Sequence, residues 1–185
     1  MNYFYKNFIK KAQIVLEKVK EITYLGDPIL LERTKFSSYK KAIKVCKKLE
    51  QKLKKIRDIT GVGRGLASTQ IGSTERCFVT FVDDEFQYFI NPSILKSSDT
   101  KNWYRENCLS CGPIVCDVQR SSSITISFID KDNNQKEESF DGFWARLLQH
   151  EYDHLDGIVN IHKTDVDDIS IISNDPLKEK LREFK

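Results

Sequence analysis

The chain has 185 residues, 39% hydrophobic and 31% charged, a balance that suits one globular core and excludes fibrous or disordered classes. Its net charge of +3 is too small to indicate a nucleic-acid binder by itself, and no apolar run approaches a membrane span. Five cysteines, an odd number in a chain of this size, argue for free thiols in a reducing compartment rather than a disulfide framework.

Residues 1–20, MNYFYKNFIKKAQIVLEKVK, are basic and keep helical spacing. They have no apolar h-region for secretion, and the absence of Arg and Ser argues against a transit peptide. YLGDPILLERT follows as a Gly-Asp-Pro turn and a short extended piece. A helix is predicted over roughly 38–58, because Ile43, Cys46, Leu49, Leu53 and Ile56 recur at three- and four-residue spacing. Lysines fill its other face, which reads as a solvated surface with a weak attraction for an acidic partner such as ribosomal RNA. Next comes the glycine-rich GVGRGLASTQIG (Gly61 to Gly72). CFVTFV, a turn at Asp83-Asp84-Glu85 and FQYFIN up to Pro92 predict a hairpin. Cys46 and Cys77 read as small buried residues. PIVCDV and SITISFID alternate as strands, KDNN is a polar turn, and QKEESF returns as a partner strand. FWARLLQHEYDHL carries helical spacing and ends at Gly157, and DPLKEKLREFK closes the chain as a short helix. The strands come in adjacent runs without βαβ alternation. The expected fold is therefore α+β, with antiparallel β-sheets packed around a central helix, in a single domain over 1–185 with its core at about 22–165.

The chemistry centres on QHEYDHLDG. His150 and His154 are four apart, so on a helix they share a face and can grip one metal ion. Glu151 is adjacent, completing H-E-x-x-H, and can serve as general base to a water. A third ligand is needed. In a metzincin protease a histidine would stand where Asn160 does, while His162 comes two residues late, and Asn is a poor zinc ligand. No downstream glutamate lies at helical reach. The upstream ENCLSC (Glu106 to Cys111) is the candidate source, and a thiolate with two imidazoles suits Fe(II) or Zn(II). A redox pair would want a helix after the first cysteine, whereas Gly112-Pro113 follows here. A closed zinc site of Cys108, Cys111, His150 and His154 stays as an alternative, although 38 residues between Cys111 and His150 exceed zinc-finger spacing.

Three stretches resemble the peptide deformylase family in the right order. Gly63-Arg64-Gly65-Leu66-Ala67-Ser68-Thr69-Gln70 is similar to its G-φ-G-φ-A-A-x-Q, and Glu106-Asn107-Cys108-Leu109-Ser110 to its E-G-C-L-S. Gln149 to Gly157 matches Q-H-E-x-D-H-L-x-G at every fixed position. The resemblance covers roughly 22–165, and its last two motifs together are specific. It implies a hydrolase that removes the formyl group from N-formylmethionine of new bacterial or organellar proteins. The host compartment would be a bacterial cytoplasm or an organellar matrix or stroma. By resemblance, Cys108, His150 and His154 bind one divalent ion, natively Fe(II) in many members, with Zn(II) or Ni(II) also able to fill the site. Glu151 takes the attacking water's proton and protonates the leaving amine. Gln70 and the backbone N–H of Leu109 stabilise the oxyanion.

Gly63 and Gly65 let the backbone and Gln70 approach the metal closely. Phe143 and Leu147 lie on the helix side of His150 and His154, where they line a slot for a methionine side chain or belong to the core. Arg64 stands where the family prefers an aliphatic residue, and Asn107 replaces a glycine beside the substrate. Arg146, one turn before His150, is a second extra cation. Arg64 and Arg146 either favour an acidic substrate or pair with Asp or Glu. The expected partners are formylated nascent peptides and, through the basic face, the ribosome, with no specific nucleic acid and no membrane. Two rivals remain: an HExxH zinc metalloprotease, and a deformylase-like protein with altered substrate or a non-catalytic binding role.

Overall fold

The structure, a computed structural model, describes residues 22–171. The helices expected at 1–20 and 175–185 lie outside the described residues.

A five-stranded antiparallel sheet in the order β1-β2-β3-β6-β7 forms the body. Its strands are β1 (Gly65–Ala67), β2 (Cys77–Val82), β3 (Glu85–Ser97), β6 (Ser123–Ile129) and β7 (Gln135–Asp141). A second, three-stranded sheet orders β4 (Lys101–Asn107), β5 (Ile114–Ser121) and β8 (Ile169–Ile171). Helix α1 spans Tyr39–Thr60 and helix α2 spans Gly142–Leu155. The alternation of β2 explains the layering. Cys77 and Val79 pack with Ala42, Cys46, Leu49 and Leu53 of α1. Phe78, one residue out of phase, packs with Ala145, Leu148 and Leu155 of α2. Both faces of the central strands are covered, so CFVTFV reads as a continuous apolar run. Cys46 and Cys77 are both fully buried.

α1 runs two residues past the expected end, stopping where Gly61 adopts the left-handed conformation and returns its N–H to Arg57 O. The β2–β3 hairpin turns on Asp83 and Asp84, both at positive φ, as a two-residue loop between right-twisting strands requires. β3 does not end at Pro92. The register slips between Ile90 and Ser93, with Asn91 at φ 48°, and pairing with β6 resumes to Ser97. Proline has no N–H to donate, and the bulge is where the ladder does without it. The turn after Gly26 is a 3-10 turn, Pro28–Leu31, capped by the Asp27 side chain.

β4 is a strand that no apolar pattern announced. KNWYREN is nearly all exposed, and the strand is held at a sheet edge by its ladder to β5. Arg105 and Asp117 stand opposite one another and form an ion pair at 2.7 Å. Cys108 follows β4 directly. Leu109–Cys111 then makes a 3-10 turn that leads into β5. No helix among the described residues is long and apolar enough to cross a membrane.

Candidate metal centre

Three donor atoms converge, from two elements. α2 presents His150 and His154 on one face, with ring centroids 5.2 Å apart. The loop after β4 brings Cys108, whose Sγ lies 3.2 Å from His154 Nε2. The donor atoms of Cys108, His150 and His154 all lie within 4.8 Å of one another. Cys108 and His154 are buried, and His150 is half-buried.

The electrostatics suit a cation. The Cys111 thiol, working against burial and assisted by both imidazoles, holds the Cys108 thiol well below its usual value. Burial works against a charged His150, yet Cys108 and Glu106 on either side raise its pKa well above the ordinary value. Two flanking anions thus draw positive charge into the pocket. A divalent ion on a thiolate and two imidazoles would answer that demand, and three protein donors would leave a fourth position open.

Glu151 is 3% exposed, and its Oε2 has no hydrogen-bond partner among the described residues. Burial, partly offset by both histidines, pushes its carboxyl up to about 7. The opposite face of this carboxylate rests on Gly65. A Cβ there would meet Glu151 Oε1 at 2.4 Å and Cδ at 2.6 Å. Gly65, by having no side chain, therefore leaves the room that the Glu151 carboxylate occupies. Gly63, at φ +103°, donates no side chain either, and its carbonyl accepts Arg57 Nη1 at 2.7 Å. Arg64 between them is exposed.

Gln70 is buried and aimed at the cluster. Its Oε1 accepts the Ala67 N–H at 2.8 Å, while Nε2 donates to Ser110 Oγ at 3.0 Å and to Cys108 Sγ at 3.7 Å. Leu109 opens the 3-10 turn, so its N–H has no acceptor within that turn. Leu147 is buried, whereas Phe143 is 54% exposed at the start of α2. The two are thus not equivalent core residues.

Three further residues beside the cluster are held by specific partners, and for Arg146 the partner is a carboxylate, the second of its two expected roles. Glu106 reaches across to α2 and β5. Its Oε2 lies 3.0 Å from His150 Nδ1, and Arg120 Nε and Nη2 donate to its two oxygens at 2.6 and 2.9 Å. Burial raises the Glu106 pKa, but hydrogen bonds and charges from His150 and Arg120 outweigh it and hold the carboxyl far below the usual range. Asn107 braces the turn after β4, its Nδ2 donating to Gly112 O at 2.9 Å and Ile114 O at 3.1 Å. Arg146 is not a free cation at a substrate mouth. It pairs with Glu106 Oε1 at 2.5 Å.

Arg120 and Asp153 were not singled out from sequence. Arg120 bridges Glu106 to Asp153, which also takes Lys163 Nζ at 3.1 Å. A signal was available: Arg120 occupies the same alternation phase as Cys116 and Val118, and a buried arginine needs carboxylate partners. Asn160, at the metzincin position, is engaged elsewhere, its Oδ1 accepting from Cys111 Sγ at 3.1 Å and Ile161 N at 3.1 Å. His162 is exposed, and its Nδ1 accepts the Val159 N–H. The interaction with Cys108, together with burial, raises the Cys111 pKa, so Cys111 is a thiol donor beside the cluster rather than a second thiolate. The metal-capable group among the described residues contains Cys108 and not Cys111.

The sequence profile of the polypeptide deformylase family matches residues 19–168. The chain belongs to the polypeptide deformylase family. It is 37% identical over 148 residues to peptide deformylase from Pseudothermotoga lettingae, spanning 77% of this chain and 81% of that one. It is 35% identical over 167 residues to the Agrobacterium fabrum enzyme, spanning 88% and 94%. A crystal structure of peptide deformylase from Plasmodium falciparum superposes with a TM-score of 0.71 at 30% identity, covering 88% of this chain and 90% of that one. The α+β fold is the deformylase fold. A deformylase acts on a formamide, a linear amide, and the compact cluster of three donors and a buried carboxylate suits so small a reacting group.

Proposed function

We propose that this chain removes the formyl group from N-formylmethionine at the start of newly made proteins, releasing formate and a free N-terminus. The observation that carries the reading is the buried Glu151, with an unpartnered oxygen and a pKa near neutrality, beside three converging metal donors. Cys108, His150 and His154 would hold one divalent ion, natively Fe(II), with Zn(II) or Ni(II) also accepted. When bound, the ion supplies Lewis acidity that polarises the formyl carbonyl and makes a water more acidic.

In this reading Glu151 accepts the proton of the attacking water. It later returns that proton to the amine as the C–N bond breaks. Gln70 Nε2 and the Leu109 N–H donate to the oxygen that gains charge, and both sit on short 3-10 turns beside the cluster. Leu147 and Phe143 line the methionine slot on the helix side. Gly63, Arg64 and Asn107 belong to the rim around it. Gly65 acts there by keeping Glu151 in place.

The substrates are formylated nascent peptides. The host compartment is a bacterial cytoplasm or an organellar matrix or stroma, where such chains arise. The ribosome is the partner of the basic face of α1. Lys40, Lys41, Lys44, Lys47, Lys48, Lys54 and Lys55 are all exposed there, against Glu50 and Asp58 as the helix's acids. Ribosome binding that weakens steeply with salt, and is lost when Lys44, Lys47 and Lys48 become Glu, would support this. Binding indifferent to both would remove it.

The reading is tested with formyl-Met-Ala and an unformylated peptide of the same composition, using anaerobically prepared protein. Formate from the first and no cleavage of the second is the expected result. Cleavage of internal peptide bonds in the second would favour a metalloprotease.

A further inference from the structure

Arg146 sits on α2 four residues before His150, so the two project from one side of the helix. Its guanidinium leaves the helix and reaches β4 and β5, two of the three strands of the small sheet. Nη1 donates to Glu106 Oε1 at 2.5 Å and to Val118 O at 3.2 Å. Nη2 donates to Asn102 O at 2.8 Å and to Asn102 Oδ1 at 2.5 Å. The same group lies 5.6 Å from the Tyr104 ring centroid. Asn102, Tyr104 and Glu106 alternate along β4, so Arg146 grips one face of that strand over its length.

These contacts have a geometric consequence. The ligand set is split, with Cys108 following the end of β4 and His150 and His154 on α2. Arg146 ties those two elements together. It also fixes Glu106 at Oε1, leaving Oε2 toward His150 Nδ1 and Arg120 Nη2. A carboxylate held this way orients the imidazole and keeps its Nε2 free for an ion.

We propose that Arg146 is a positioning residue for the metal centre: it latches the Cys108 strand to the histidine helix and aims Glu106 at His150, slowing metal loss. This rests on the metal-site reading above and goes beyond it, since Arg146 touches neither ion nor substrate. Arg120 also holds Glu106, but it is only 3% exposed and carries Asp153 as well, so its removal threatens the fold. The Arg146 side chain is less deeply enclosed, at 13% exposure.

The test is the rate at which Zn(II)-loaded protein gives up its ion to excess chelator. It is measured for wild type, Arg146→Met and Arg146→Lys, with the thermal midpoint of each apoprotein alongside. Methionine preserves much of the apolar stem and removes the fork. Loss of a partner that orients a metal ligand weakens metal binding by roughly 10- to 100-fold. Release should therefore quicken by about that factor in Arg146→Met, with an intermediate rate in Arg146→Lys, which keeps the charge but not the fork. The Co(II)-loaded form of Arg146→Met should also show a shifted visible spectrum, as a displaced imidazole alters the ligand field. A purely structural role would lower the apoprotein midpoint and leave the release rate and spectrum unchanged, which overturns the proposal. If Arg146→Met does not fold, Arg146→Lys decides, and release at the wild-type rate refutes the latch. A wild-type chain that takes up no Zn(II) overturns the metal-site reading, and the latch with it. Formate release does not enter the measurement, so failure of the deformylase chemistry alone is read separately.

Discussion

Gly65→Ala isolates the seating of Glu151 from everything else in the site. Gly65 lies in β1 and is not among the residues at positive φ, so alanine is compatible with its backbone. The added methyl would lie 2.4 Å from Glu151 Oε1, 2.6 Å from Cδ and 2.7 Å from Cγ. Restoring ordinary contact requires the carboxylate to retreat by roughly 1 Å. A 1 Å misplacement of a reacting group costs on the order of 100-fold in rate. That corresponds to about 2.7 kcal/mol of transition-state stabilisation. Stability should change less, because overpacking costs roughly 1–3 kcal/mol while the loss of glycine's freedom returns about 0.4–1 kcal/mol. The assay is kcat/KM for formate release, with metal content and urea midpoint measured on the same protein. Gly63→Ala is the contrast. Its φ of +103° and a Cβ 2.9 Å from Leu53 Cδ1 should cost roughly 1–3 kcal/mol of folding stability. A folded, metal-loaded Gly65→Ala enzyme working within threefold of wild type would refute the reasoning.

Cys111→Ser should retain a full equivalent of metal, because the group able to hold an ion comprises Cys108, His150 and His154; elemental analysis showing loss of the ion would restore the closed four-ligand site. Asn107→Gly removes two hydrogen bonds to loop carbonyls, so thermal unfolding should show a loss of about 1–2 kcal/mol. An unchanged midpoint would mean that the loop does not depend on them. Arg64→Ile should lower the preference for formyl-Met-Asp over formyl-Met-Ala by about two- to fivefold, the scale of one exposed ion pair, and an unchanged ratio would leave Arg64 without a role in substrate choice.

Legibility in the sequence followed burial and periodicity. α1 and α2 were readable because each sets an apolar face against the core with a period of 3.6, and the β2–β3 hairpin because its short apolar runs, β2 being buried on both faces, flank a recognisable turn. β4 was not, because an edge strand with one polar face and one solvated face leaves no apolar alternation. The continuation of β3 beyond Pro92 was hidden for another reason: proline normally breaks a ladder, and only a bulge at Asn91 allows the strand to resume. The H-E-x-x-H pair was legible because its geometry is local to one helix. The work of Glu106 and the particular partner of Arg146 were not, because they depend on which strand α2 packs beside. Neighbouring letters in RENC carry unrelated tasks: Glu106 reaches 44 residues on to His150, whereas Asn107 closes its own loop five and seven residues ahead.

The central claim is that Glu151 acts as base and acid beside an ion held by Cys108, His150 and His154. The most direct measurement is formate release from formyl-Met-Ala, with metal per chain, on anaerobic preparations of wild type and Glu151→Gln made side by side. The account predicts turnover by the wild type with one divalent ion per chain. It predicts a loss of about a thousandfold in Glu151→Gln with the ion retained, within the range of general acid–base catalysis. A wild type that carries its full metal and releases no formate, or a Glu151→Gln variant that turns over normally, would contradict it.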